Sequence, residues 1–337
     1  MNKRYLSIVV LIIGLCIGFF GCVSPRWEPS NPLNRMADPP VEVLPAKKEL
    51  GSIDSYAVML QGDVFEELDH LESDLLVIDY SRDGTGKTAY TKAEIQELHA
   101  YTGGVILSYL SIGEAERYRD YFKSSWLSQL NRKPYPYTPD WISCENPNWE
   151  GNYPVAYWIE EWQQIVLGNA ELMIKNGFDG LFLDIVDAFE YWADPDCTEE
   201  PLAREITTAY MVDFVVRIAE HIRSIDPEAI LIVQNAEYIL HYADERYLQV
   251  IDGLNLESLY FKDQKERESD RTERRFFYID QFQDAGVAVF AIDYIYDGDV
   301  TSELHWYTEL TRSDGITGYP AHEDVSLKQI TPYWIYQ

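Results

Sequence analysis

The stretch "GFDGLFLDIVDAFEYW", Gly177 to Trp192, decides how the chain is read. Gly180, Leu181, Phe182 and Leu183 form an apolar run without alternation, the pattern of a strand buried on both faces. Asp184 follows at once, and Asp187 comes three residues later. A carboxylate is costly inside a core. The position therefore asks what a buried strand gains by ending in acids.

Outward from it, similar runs recur. On the N-terminal side lie "SYAVMLQ" (55–61), "DLLVIDYS" (74–81) and "GGVILSYLSIGE" (103–114). On the C-terminal side lie "AILIVQNAE" (229–237), "GLNLESL" (253–259), "VAVFAIDY" (287–294) and "GITGYPA" (315–321). The strand near Asp184 is read as 180–187. Helical patterns separate many of these runs. "TKAEIQELHAY" opens on a capping box, Thr91 with Glu94. "WIEEWQQIVLGNAELMIKNG" spaces Trp158, Trp162, Ile165, Ala170, Met173 and Ile174 helically and stops at Gly177. "EITTAYMVDFVVRIAEHIRSID", "SDRTERRFFYIDQFQDAG" and "SELHWYTELTR" repeat the pattern. Eight strands alternating with helices over about 285 residues predict a single-domain α/β fold, a (β/α)8 TIM barrel. A doubly wound open sheet is the alternative. "DGTGKTAY" (83–90) lacks P-loop spacing and reads as a plain turn.

In such a barrel the reacting groups come from the C-terminal strand ends. Those ends carry Asp79 and Tyr80, then Tyr109, Ser111 and Glu114, then Asp184 and Asp187. Further on come Gln234, Asn235 and Glu237, then Glu257 with Tyr260, then Asp293 with Tyr294, then Tyr319 with His322 beyond. The strand bodies hold few polar residues. An acidic mouth walled by aromatics suits a carbohydrate, and glycosidic cleavage needs two carboxyl groups. Asp184 and Glu257 are the candidate pair. Asp184, Asp187 and Asp293 are the alternative, as oxygen ligands for a divalent cation. HExxH and GxSxG are both absent, and the cysteines have no evident His partner. No metal or other cofactor is therefore expected.

The whole chain narrows the partners. Of 337 residues 46% are hydrophobic and 14% aromatic, which makes a folded protein with a sizeable core. The 57 Asp and Glu against 27 Lys and Arg give a net charge of −30, which repels nucleic acid and would attract a cationic substrate. Solubility outside the cell accounts for much of that charge as well.

Lys3 and Arg4 precede the apolar run Leu6 to Phe20, then Gly21 and Cys22. Residues 1–22 resemble a bacterial lipoprotein signal, with Cys22 as the lipidated first residue of the mature chain. An uncleaved anchor is the alternative. Either places the remainder outside the cytoplasm, tied to the membrane. Residues 23–46 are rich in proline and read as a tether, leaving 47–337 for the barrel. In an oxidising compartment Cys144 and Cys197 can pair, and two free thiols are the alternative.

"SYLSIGEAERYRDYF" (108–122), "GFDGLFLDIVDAFEY" (177–191), "IVQNAE" (232–237) and "NLESLYF" (255–261) together resemble glycoside hydrolase family 114, the endo-α-1,4-polygalactosaminidases. The resemblance implies an extracytoplasmic barrel hydrolase acting on galactosamine-containing polysaccharide. It implies Asp184 as nucleophile and Glu257 as general acid/base of a retaining mechanism. Asp79, Tyr109, Glu114, Asn235, Tyr260, Asp293, Tyr294 and Tyr319 would then shape the sugar site, and Asp187 would be a loop residue behind Asp184. The loop "AFEYWADPDCTEEPLARE" after Asp187 is long enough to cap the cleft. The other class of function is a lipid-anchored carbohydrate-binding protein without turnover.

Overall fold

The computed structural model describes residues 50–127, 138–198, 200–262, 265–266, 269–299 and 302–332. The signal segment, the tether and Cys22 lie outside the described residues.

Eight strands form one sheet in chain order. They are β1 (Tyr56–Met59), β2 (Leu75–Ile78), β3 (Val105–Ser111), β4 (Gly180–Asp184), β5 (Ile230–Gln234), β6 (Gly253–Glu257), β7 (Ala288–Tyr296) and β8 (Thr317–His322). Every ladder is parallel. The first and last strands approach each other, with Thr317 Oγ1 donating to Ile53 O at 2.9 Å. This is the nearly closed TIM barrel that the alternation predicted.

Among the described residues six helices of more than four residues serve the crossovers: α1 (Lys92–Thr102), α2 (Glu160–Lys175), α3 (Arg204–Ile225), α4 (Glu245–Val250), α5 (Ser269–Asp284) and α6 (Ser302–Ser313). The Thr91–Glu94 capping box forms, and α1 ends at Gly103 in a left-handed conformation, φ +68°. α2 turns Trp162, Ala170, Met173 and Ile174 inward, as its spacing implies, together with Val166; Trp158 precedes the helix and Ile165 is half-buried. Two features differ from the sequence reading. The β1–β2 connection holds only 3-10 turns, Val64–Glu66 and Leu68–His70, and the β5–β6 crossover carries the short α4.

The barrel interior is filled by side chains, among them a hydrogen-bonded polar group. Tyr56 of β1 packs against Phe290 and Tyr319 at 5.2 and 5.6 Å between ring centroids. Its hydroxyl donates to Asn255 Oδ1 at 2.8 Å, and Asn255 donates to Gln234 at 2.8 Å. Asn255 is fully buried, and this chain of bonds satisfies it.

The first six strands each end two or three residues before the runs read from sequence, and two of these ends shape the site. β3 stops at Ser111. Gly113 then passes so close to β4's exit that an added Cβ would lie 2.2 Å from Ile185 O, which only glycine permits. Glu114–Glu116 leaves the barrel and pairs antiparallel with Asn152–Pro154. β4 stops at Asp184 because Ile185 takes φ +58°, a genuine outlier for a β-branched residue. Asn235 (φ +54°) and Ser258 (φ +51°) turn likewise just past β5 and β6. Backbone strain thus sits beside both candidate carboxylates, and it recurs past β8 at Val325 (φ +56°) and Leu327 (φ +49°).

Candidate active site

A cavity of about 460 Å³ opens at the C-terminal strand ends. Asp79, Tyr109, Glu114 and Asp184 wall it, together with Glu116, Tyr118, Trp149 and Asn152 from the excursion after β3. The β1–β2 connection and Lys328 complete it. The cavity therefore lies over the β1–β4 half of the mouth.

Asp184 is 1% exposed. Tyr109 Oη donates to its Oδ2 at 2.8 Å, and the Ile185 amide donates to its Oδ1 at 2.7 Å. The strained turn at Ile185 is what aims that amide back at the carboxylate. Burial pushes Asp184 up to about 6, against these two donors, which hold it down.

Glu257 ends β6 and is 5% exposed. It stands outside the walls of that cavity and meets Asp184 through charge. Burial raises its carboxyl to about 8, opposed by the Tyr294 hydroxyl, then aided by the charge of Asp184. Tyr294 donates to Oε1, and the Glu257 amide donates to Asn235 Oδ1 at 3.0 Å. Arg275 of α5 fixes the same turn, donating to Glu257 O at 3.1 Å and pairing with buried Glu237 at 2.6 Å.

The cavity's far wall rests on Arg119. Its guanidinium grips Asp79 at 2.7 and 2.9 Å and Glu116 at 2.7 Å, with all three side chains buried. Tyr118, Tyr80 and Tyr109 surround it at 4.8, 5.3 and 6.0 Å from their centroids. Removing one partner of such a group strands the others' charge. Arg119→Met is expected to cost about 3–5 kcal/mol, read from the urea midpoint. An unchanged midpoint would mean this ion group does not hold the wall.

The other predicted residues divide. Tyr294 and Asn235 reach Glu257 as described. Asp293 does not reach the cavity; its Oδ1 accepts from the Tyr260 and Phe261 amides at 3.0 and 2.8 Å and anchors the loop after β6. Tyr260 turns its hydroxyl outward to Asp314, at 2.8 Å. Tyr319 is a barrel-filling side chain whose hydroxyl accepts from the Thr331 amide at 3.1 Å. Asp187 has left the strand and stands at the N-terminus of the four-residue helix Ala188–Tyr191. Burial, then the charges of Asp184, Glu190, Glu237 and Glu114, push its carboxyl well up.

Among the described residues no group of three or more His, Cys, Asp or Glu is placed to hold a metal ion. The loop after Asp187 packs sideways: Trp192 donates to Val155 O at 2.8 Å, and none of its described residues walls the cavity. Cys144 and Cys197 are both disulfide-bonded. Asp83 in the "DGTGKTAY" turn accepts from Thr85 and Thr88, as an ordinary turn does. Sequence reading missed Glu116, Tyr118, Arg119, Trp149, Asn146, Asn152 and Arg275. The density of charge and tyrosine in "GEAERYRDYF" was the one available signal.

An eight-stranded parallel barrel with buried carboxyl groups at its mouth can house the two-carboxyl chemistry of glycoside cleavage, among other reactions. The family model of glycoside-hydrolase family GH114 matches residues 42–334, and the chain belongs to that family. It is 30% identical over 348 residues to an uncharacterised protein of Methanocaldococcus jannaschii, covering 99% of this chain and 96% of that one. An uncharacterised Thermotoga maritima protein is 33% identical over 281 residues, with 82% and 83% covered. Among solved structures, the fold is shared with the glycoside hydrolase domain of PelA from Pseudomonas aeruginosa (TM-score 0.61, 19% identity, 82% of this chain and 97% of that one). It is also shared with Aspergillus fumigatus Ega3, solved in complex with galactosamine (TM-score 0.57, 16% identity, 82% and 94%).

Proposed function

We propose that the protein hydrolyses α-1,4-linked galactosamine-containing polysaccharide by a retaining mechanism, with Asp184 as nucleophile and Glu257 as general acid and then base. The observation that carries this reading is a pair of buried carboxyls at the ends of β4 and β6, Asp184 held by Tyr109 and the Ile185 amide and Glu257 by Tyr294, with burial pushing the first to about 6 and the second to about 8. Between those values Asp184 is ionised while Glu257 keeps its proton, the division of labour that glycoside cleavage requires. Asp184 attacks the anomeric carbon as Glu257 protonates the departing oxygen, which leaves as an alcohol. Glu257 then takes a proton from water, and that water displaces Asp184 from the sugar. Tyr109 and the Ile185 amide hold the attacking carboxylate in place. The amino-sugar assignment draws on the acidic chain, on the acids walling the cavity, and on Ega3, a member of the same fold crystallised with galactosamine. The proposed setting is extracytoplasmic, anchored through Cys22. The disulfide-bonded Cys144 and Cys197 are compatible with such an oxidising compartment.

The test is the pH dependence of kcat/KM. It should rise with pH as Asp184 ionises near 6 and fall as Glu257 loses its proton near 8. A profile flat across both values would contradict the assignment.

A further inference from the structure

The acids around the cavity are not equally available to a ligand. Asp79 and Glu116 share the Arg119 guanidinium, and Asp63 is paired with Arg82 at 2.6 Å. Asp184 is committed to Tyr109 and the Ile185 amide. Glu114 differs. It is 2% exposed, walls the cavity, and its partners are two neutral amides. Asn146 Nδ2 donates to Oε1 at 2.7 Å, and Asn152 Nδ2 donates to Oε2 at 3.2 Å. Ser111 Oγ donates to the Glu114 carbonyl at 3.0 Å and fixes the backbone. No cation pairs with Glu114 among the described residues. Neutral donors orient a carboxylate without cancelling its charge.

We propose that Glu114 is the ammonium-recognising group of this site: it meets the C2 ammonium of the sugar whose anomeric carbon faces Asp184, and so sets a preference for de-N-acetylated over N-acetylated residues. This rests on the reading of the site as a galactosaminidase and names the group that makes it one.

Two independent points converge on it. The first is covalent. In a 2-amino sugar the nitrogen sits one carbon from the anomeric centre, so a sugar placed for attack by Asp184 must put its nitrogen close by. Glu114 and Asp184 wall the same cavity, and burial, with the charge of Asp184 adding to it, pushes the Glu114 carboxyl up to about 7. The second is electrostatic. Positive charge grows at the anomeric carbon in the transition state. An adjacent ammonium opposes that growth, and a fixed, buried carboxylate beside the ammonium offsets it. Glu114 thus acts on kcat as well as on binding.

The experiment compares Glu114→Gln with the parent protein on a defined α-1,4-galactosamine oligomer and on its fully N-acetylated counterpart. Loss of a charge-assisted contact predicts a fall in kcat/KM of roughly 30-fold on the free-amine oligomer and less than about 5-fold on the acetylated one. Glu116→Gln, which alters an acid already paired with Arg119, should leave the ratio between the two substrates in place. Equal losses on both substrates, or a preference that moves with Glu116 instead, would overturn the assignment. Should Glu114→Gln fail to fold, inhibition of the parent protein by galactosamine, N-acetylgalactosamine and galactose decides: galactosamine should bind tightest, and equal inhibition by all three refutes the proposal. If the parent protein cleaves neither oligomer, the galactosaminidase reading itself falls; if it cleaves both with an unaltered preference in Glu114→Gln, only the role of Glu114 does.

Discussion

Asp184→Asn should lower kcat by at least about 10⁴-fold, because an amide cannot form the glycosyl–enzyme bond. The fold should survive. Asn is nearly isosteric and can still meet Tyr109 and the Ile185 amide. Stability should even rise on the alkaline side. The native Asp184 carboxyl is raised from 3.8 to about 6, so the folded state holds its proton more tightly than the unfolded chain does. Its contribution is therefore full at low pH and lost as pH climbs through about 6, where a buried charge must be carried. The melting temperature of Asp184→Asn should match the parent's near pH 4 and exceed it at pH 8. A variant with residual activity near that of the parent would remove Asp184 from the chemistry.

Glu257→Gln should cost about 10³-fold in kcat/KM on polysaccharide, the scale of a lost general acid. The loss should depend on the leaving group. A sugar alcohol needs protonation to depart, whereas an acidic phenol does not, so an aryl glycoside should be cleaved with a far smaller deficit in the first step. The alkaline limb of the pH profile should vanish with the carboxyl that produces it. Comparing parent and variant on one substrate cancels any titration of the substrate's own amine. A uniform loss on both kinds of leaving group would assign Glu257 a packing role instead.

Much of the barrel was legible because its signals are local. "GLFLD" runs apolar and then stops in an acid, "GLNLE" does the same around one asparagine, and both acids stand where β4 and β6 end. The failures share one cause. A Tyr or Asp at a strand end looks the same whether it faces the mouth, the barrel interior or the next loop. Tyr319 fills the interior, Asp293 binds loop amides, and Tyr260 points to Asp314; each was indistinguishable in sequence from Tyr109. Arg119 lies 40 residues from Asp79, and only the folded chain joins them. The break of β3 at Ser111 was hidden because "VILSYLSIG" stays apolar past the strand's end, while the close approach to Ile185 that forces the turn comes from another strand. The one-sided cavity follows from that excursion and from the helix-free β1–β2 connection, neither of which has a periodic signature.

The central claim is that this site turns over galactosamine polymer with Asp184 and Glu257. The most direct measurement is mass spectrometry of the products after incubation with de-N-acetylated α-1,4-galactosaminan, using the parent protein and Asp184→Asn in parallel. The account predicts a ladder of galactosamine oligosaccharides from the parent and none from Asp184→Asn. Tight binding of the polymer by the parent without any oligosaccharide release would contradict it, and would make the protein a carbohydrate-binding one.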